Sequence, residues 1–314
     1  MITIEFQVKY IDLDTGERIA YREAGRASGD KPTVLILHGN MSSSYHMQGL
    51  MEGLCDKYKV YAMDMVGFGD SSYNRELNSC EDFSKDVTAF IEKMDLDNIH
   101  ILGWSMGGGV AIETAVDNQD KIKQIFLLSS VGVQGYPLYK RDSLLGFDLK
   151  SPLFLREDLM NDPVLIKPAI HAFEIGHKNF FKALLNKWMY HNNRIDDLEY
   201  DKLIDATLKQ RNILDVNVAL TNFNVTTSSN DVNEGSGRLY HLRIPITIMH
   251  GTDDKVVDID LARASKDFIG QRAELIEFDG GSHSLFTDDR DEIVNLVKER
   301  IDLLIEKEKE EDAE

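Results

Sequence analysis

Cysteine is almost absent from this chain: two residues in 314, Cys55 and Cys80. Two thiols without metal-ligand spacing exclude a disulfide framework and a cysteine-based zinc site. Nor does any apolar run approach the ~18 to 20 residues that a membrane helix needs, which predicts a soluble protein without integral membrane association. Positive charge is also scarce. The 35 Lys and Arg face 54 Asp and Glu, for a net charge of -19, so nucleic-acid backbones and anionic membranes would be repelled and neither is expected as a partner. The start, MITIEFQVKYIDLD, lacks a basic leader and a small-residue cleavage site, which predicts a cytoplasmic location. There is no H-E-x-x-H pattern and no carboxylate cluster of metal-site type, and we expect neither a metal nor a cofactor. The closing EKEKEEDAE reads as a solvated, fraying helix end.

What the sequence does contain is a rhythm. Short β-branched runs recur with helical patterns between them: TVLILHG (33–39), KVYAMDM (59–65), NIHILGW (98–104), IKQIFLLSS (122–130), PITIMHG (245–251) and AELIEFDG (273–280). Near-continuous apolar strands alternating with helices predict an α/β fold, a mostly parallel twisted sheet with helices on both faces. Two alternating segments before them, TIEFQVKYIDL and RIAYREAG, predict an antiparallel hairpin at the sheet edge. In SCEDFSKDVTAFIEKM, Phe83, Val87, Phe90, Ile91 and Met94 share one helical face, and Ser79 is placed to cap it. Ile293, Val297, Ile301, Leu304 and Ile305 repeat that spacing near the C-terminus.

The rhythm breaks after about residue 135. From 136 to 239 no strong strand pattern occurs, aromatic and histidine residues scatter through helical segments such as NFFKALLNKWMYHNN, and the polar TTSSNDVNEGSG closes the stretch. We therefore expect a core of residues 1–135 and 240–314 with an inserted helical cap at 136–239.

Within the core, Gly103-Trp104-Ser105-Met106-Gly107 fits G-x-S-x-G, preceded by an apolar strand and followed by Gly108, Gly109 and a helical pattern. A strand-turn-helix setting of this kind holds a serine in strained backbone angles with its hydroxyl exposed, and side chains at 103 and 107 would collide with their neighbours. A serine needs a base, and the base a third group. His283 in FDGGSHSLF follows the last strand, and Asp253 and Asp254 follow the one before it.

Together these segments resemble the α/β-hydrolase family. Gly251-Thr252-Asp253-Asp254-Lys255-Val256-Val257 is similar to the family's acid loop G-x-x-D-x-x-V, which implies Asp254 as the acid of a Ser105–Asp254–His283 catalytic set. DMVGFGDS (64–71) resembles a D-x-x-G-x-G-x-S turn, in which Asp64 is read as a loop cap. LHGN (37–40) resembles the oxyanion loop, and the resemblance implies an oxyanion hole of the Asn40 and Met106 backbone N–H groups. His38, His46 and His250 are read as buried structural histidines, and His171, His177 and His191 as packing residues of the cap.

HGNMSSSY is similar to the oxyanion loop of haloalkane dehalogenases, but those enzymes attack with an aspartate where this chain has Ser105. A serine hydrolase of carboxylic esters is the activity implied. The GWSMGGG box is similar to a group of bacterial intracellular poly(3-hydroxybutyrate) depolymerases, which points to a small-molecule or oligomeric ester substrate. Other classes stay open: a carbon-carbon bond hydrolase of ring-cleavage products, a lactonase or perhydrolase, and a ligand-binding protein without turnover. Oligomeric state is open as well.

Overall fold

The computed structural model describes residues 4–26, 32–141, 146–193 and 195–311. Its strands are β1 (Lys9–Asp12), β2 (Arg18–Ala24), β3 (Thr33–Leu37), β4 (Lys59–Met63), β5 (Ile99–Trp104), β6 (Ile122–Leu128), β7 (Tyr139–Arg141), β8 (Phe147–Pro152), β9 (Ile246–Gly251) and β10 (Ala273–Phe278). Eight of them form one sheet in the order β1-β2-β4-β3-β5-β6-β9-β10. β1 and β2 make the antiparallel edge hairpin, with Lys9 opposite Tyr21, and β2 joins β4 antiparallel. Within this sheet the pairings β4-β3, β3-β5, β5-β6, β6-β9 and β9-β10 are all parallel.

The apolar strand runs follow from this burial. On β3, Leu35 and Leu37 face one core while Val34 and Ile36 face the other, and all four are fully buried. A strand covered on both faces has no polar position to alternate with. The first core is covered by α2 (Cys80–Lys93) and α3 (Met106–Asp117), and the second by α1 (Gln48–Leu54) and, from the far end of the chain, residues 290–311. α2 begins where its sequence predicts: the Ser79 hydroxyl accepts from the Asp82 N–H at 3.0 Å, and Phe83, Val87, Phe90 and Ile91 are buried. Such a cap contributes about 1 kcal/mol.

The stretch between β6 and β9 departs from the expectation of an all-helical insertion. It opens with the antiparallel hairpin β7–β8, followed by α4 (Arg156–Met160), α5 (Ile166–Glu174), α6 (Lys178–Trp188), α7 (Asp197–Thr207) and α8 (Ile213–Asn222). β7 has three residues, and no residue of either strand whose burial is described is buried, so the hairpin carries no apolar run to betray it. Phe181, Leu185, Leu203 and Ile204 from these helices join the same apolar cluster as Trp104 and Phe126 of the sheet. The inserted helices thus share the core they sit on. Asp215 of α8 ties them further, accepting from the Tyr73 hydroxyl at 2.7 Å and the Leu77 N–H at 2.9 Å and pairing with the Arg156 guanidinium.

The chain returns through β9 to α9 (Ile259–Ile269), β10, the short α10 (Leu285–Asp288) and α11 (Arg290–Glu311). Ile293, Val297 and Ile301 of α11 are buried against the second core. Among the described residues no helix is long and apolar enough to cross a membrane.

Candidate active site

The parallel strands all end at one sheet edge, and the loops after β3, β5, β9 and β10 meet there. Ser105 is the residue between β5 and α3. Its backbone sits at φ 54°, ψ -123°, a region costing roughly 1–3 kcal/mol for a residue with a side chain. The turn is held from three directions: the Ser105 N–H donates to Leu128 O at 3.0 Å, and its carbonyl accepts from Gly108 at 3.0 Å and Val131 at 3.3 Å. The two flanking glycines are sterically required. A Cβ at Gly103 would lie 2.3 Å from Gly107 O, and one at Gly107 would lie 2.4 Å from Leu37 O.

Asp254 and His283 meet although 29 positions apart. His283 Nδ1 lies 2.8 Å from Asp254 Oδ2, and both side chains are buried. The other carboxylate oxygen accepts from the N–H groups of Val256 at 2.8 Å and Val257 at 2.9 Å, so the loop's own backbone fixes the carboxylate. Burial alone would raise the Asp254 pKa, but the charge and hydrogen bonds of His283 and His250 outweigh it and hold the carboxyl well below the usual carboxylate range. Of the two neighbouring aspartates, Asp253 is half-exposed and pairs instead with His191 at 3.0 Å and Lys255 at 3.5 Å.

His250 contributes a contact that its sequence position does not announce. Fully buried, its Nε2 is 2.8 Å from Val257 O and 3.3 Å from Asp254 Oδ2. The four-residue spacing from Asp254 is the only signal it leaves. Trp104 is a second such residue. Its indole Nε1–H donates to the main-chain oxygen of His283 at 2.9 Å, and its ring packs edge-on against Phe286 at 4.8 Å.

The Asn40 and Met106 N–H groups, the expected oxyanion donors, have no acceptor among the described residues. The orientation of the first is fixed by its own peptide unit. Gly39 C=O accepts from His38 Nδ1 at 2.8 Å and from the Ser42 hydroxyl at 2.6 Å. Because that unit is planar and trans, the Asn40 N–H points the opposite way. His38 Nε2 accepts from the Met65 N–H at 3.1 Å, which assigns the proton to Nδ1. Met106 opens α3, where the helix dipole favours negative charge.

Ser105, His283 and Asn40 line one cavity of about 290 Å³. Most of its wall is apolar, from Leu138, Leu165, Leu184, Trp188, Leu220 and Val256; Tyr136, Arg141, Asn217 and Lys255 are its further polar members, and no carboxylate lines it among the described residues. The remaining histidines lie elsewhere. His46 Nδ1 accepts from the Ser43 N–H at 3.1 Å, His177 caps α6 by accepting from Phe180 at 3.0 Å, and His171 pairs with Glu174 at 3.7 Å. Asp64 acts as a loop cap, accepting from Ser44 at 2.7 Å and Asp70 at 2.9 Å.

Comparison with known proteins agrees with this architecture. The family model for the α/β hydrolase fold matches residues 32–289. A proline iminopeptidase of Lactobacillus helveticus is 26% identical over 312 residues, covering 96% of this chain and 99% of that protein. An uncharacterized protein of Mycobacterium bovis is 25% identical over 291 residues, 90% of this chain and 79% of its own. Among solved structures, an esterase from Exiguobacterium antarcticum superposes with a TM-score of 0.73 at 16% identity, covering 94% of this chain and all of the other. With an eight-stranded, mostly parallel sheet and the family model spanning residues 32–289, this chain belongs to the α/β-hydrolase fold family.

Proposed function

We propose that this protein is a serine hydrolase of carboxylic esters. The observation that carries the proposal is the 2.8 Å contact of His283 with Asp254, beside a cavity that His283 shares with a strained, buried-turn Ser105. In this mechanism Ser105 Oγ attacks the ester carbonyl while the second imidazole nitrogen of His283 takes the hydroxyl proton. The Asn40 and Met106 N–H groups bind the oxyanion. Collapse expels the alcohol, which leaves with the proton from His283, and forms an acyl-enzyme. Water, deprotonated by His283, then releases the acid and restores Ser105. Asp254 keeps the tautomer and stabilises the imidazolium.

Residues 136–239 are read as the cap of this site. Leu138, Leu165, Leu184, Trp188 and Leu220 of that segment supply much of the cavity wall. A cavity near 290 Å³ falls just below the ~300–1,000 Å³ range of small-molecule pockets and suits a short acyl group. A 3-hydroxybutyrate oligomer, presenting one short hydroxyacyl unit at a time, is the substrate we favour. The likeness to a proline iminopeptidase carries less weight here. A peptide's N-terminal ammonium calls for a carboxylate in the wall, and this wall has Arg141 and Lys255 instead.

Those two cations support one second reading, a carbon-carbon bond hydrolase acting on a ring-cleavage product with a free carboxylate. The readings separate in one assay panel. Release of 3-hydroxybutyrate from its soluble oligomers and from amorphous granules is expected. Inert oligomers, together with decay of the visible absorbance of a ring-cleavage dienoate, would reverse the order.

A further inference from the structure

We propose that Gln210 is a positioning residue for the oxyanion loop, through which the inserted segment holds the Asn40 N–H in place. The inference rests on the reading of Asn40 as an oxyanion donor. Gln210 lies in the link between α7 and α8 and is 2% exposed. Its side-chain amide is used at both ends. Nε2 donates to Asn40 Oδ1 at 2.8 Å and to Asn212 Oδ1 at 3.1 Å, and Oε1 accepts from the Met41 N–H at 2.9 Å. The Thr207 hydroxyl, from the same segment, donates to Met41 O at 2.8 Å.

Met41 is where this grip acts. Its φ is 56°, the left-handed region, in a residue with a long side chain. Such a conformation persists only when its surroundings over-determine it. Here both main-chain polar groups of Met41 are bound by the inserted segment, and the N–H is also met by Asn40 Oδ1 at 2.9 Å. His38 and Ser42 pin the Gly39 carbonyl from the core side, which leaves rotation at Asn40 itself as the freedom to be removed. Gln210 removes it by holding the Asn40 side chain and the next N–H together. The segment in turn is anchored to the loop after β4: Arg211 N–H donates to Gly67 O at 2.8 Å, and Asn212 Nδ2 to Val66 O at 2.6 Å.

The test compares Gln210→Leu, which keeps the bulk and loses all three of its hydrogen bonds, with Thr207→Val, which loses the bond to Met41 O and a 3.4 Å contact with His46 Nε2. Three quantities are read: kcat and KM on p-nitrophenyl butyrate, and the inhibition constants of a trifluoromethyl ketone and a methyl ketone of the same chain length. The first ketone forms a tetrahedral oxyanion on the serine; the second reports ground-state binding. For Gln210→Leu we expect kcat to fall about 10- to 100-fold, the scale of a donor displaced rather than deleted. KM and the methyl ketone constant should stay within about twofold, while trifluoromethyl ketone affinity falls with kcat. Thr207→Val should show the same split at about three- to tenfold, and it decides the matter if Gln210→Leu does not fold. A folded variant with wild-type kcat, or equal loss of affinity for both ketones, overturns the proposal. Failure of the hydrolase reading looks different: the wild-type protein itself would leave every ester untouched.

Discussion

The indole of Trp104 donates to the main-chain oxygen of His283 at 2.9 Å, so the residue before the candidate nucleophile fastens the residue that carries the candidate base. The two are 179 positions apart, and the bond is buried. It ties the end of β5 to the loop after β10 without using the side chain of either catalytic candidate, Ser105 or His283.

Trp104→Phe should therefore separate stability from side-chain chemistry. The ring is kept, and the His283 carbonyl is left in an apolar surrounding without its donor. We expect a stability loss of about 1–3 kcal/mol, the cost of an unsatisfied buried acceptor, measurable by urea unfolding. A fall in kcat should accompany it as the His283 loop loosens. An unchanged unfolding midpoint would show that the bond contributes nothing.

The two aspartates should behave oppositely. Asp254→Asn presents the wrong hydrogen-bonding partner to His283 and should lower kcat by about 10⁴-fold. Asp253→Asn removes only a half-exposed pairing with His191 and Lys255 and should leave kcat within about twofold. Steady-state kinetics on one ester decides between them, and a reversed pattern would reassign the acid.

Asp254 also makes a contribution to acid stability with a definite sign. Its folded pKa is depressed, by His283 and His250 against the opposing effect of burial. Below the unfolded value of about 3.9 the unfolded chain binds the proton first. The contribution is thus present above about pH 4 and is lost as the pH falls towards the folded pKa. Urea unfolding at pH 5 and pH 3 should show a steeper loss for wild type than for Asp254→Asn; parallel losses would refute the depressed pKa.

Gly107→Ala is expected to be among the most damaging small substitutions in the chain. The added methyl would meet Leu37 O at 2.4 Å, and backbone of a central strand cannot move aside. The cost should reach about 3 kcal/mol or more, at or beyond the upper end of overpacking. Thermal or urea unfolding of the purified variant checks it, and a loss below about 1 kcal/mol would mean that the turn has slack.

Much of this was written in local pattern. β3, β4, β5, β6, β9 and β10 begin within one residue of the runs that announce them; for β3, β5 and β9, buried throughout, covering on both faces leaves little room for polar residues, whereas β10 at the sheet edge exposes Glu274 and Glu277. Ser79 caps α2 as its sequence predicts, and Ser105, Asp254 and His283 fall at ends of parallel strands as their motifs require. Local pattern failed where function depends on distant contacts or on weak elements. β7 has only three residues, and β7 and β8 have no buried position among those whose burial is described, so neither leaves an apolar signature. Trp104 and Gln210 carry meaning only through partners far along the chain, His250 leaves only its four-residue spacing from Asp254, and a glutamine holding a residue 170 positions away has no local mark at all.

The central claim is that Ser105 is an activated nucleophile. A fluorophosphonate probe, followed by peptide mapping at neutral pH, tests it most directly. Phosphonylation of Ser105 is expected, lost in Ser105→Ala and slowed by orders of magnitude in His283→Ala. A wild-type protein that stays unlabelled, or one labelled at another serine, would contradict it.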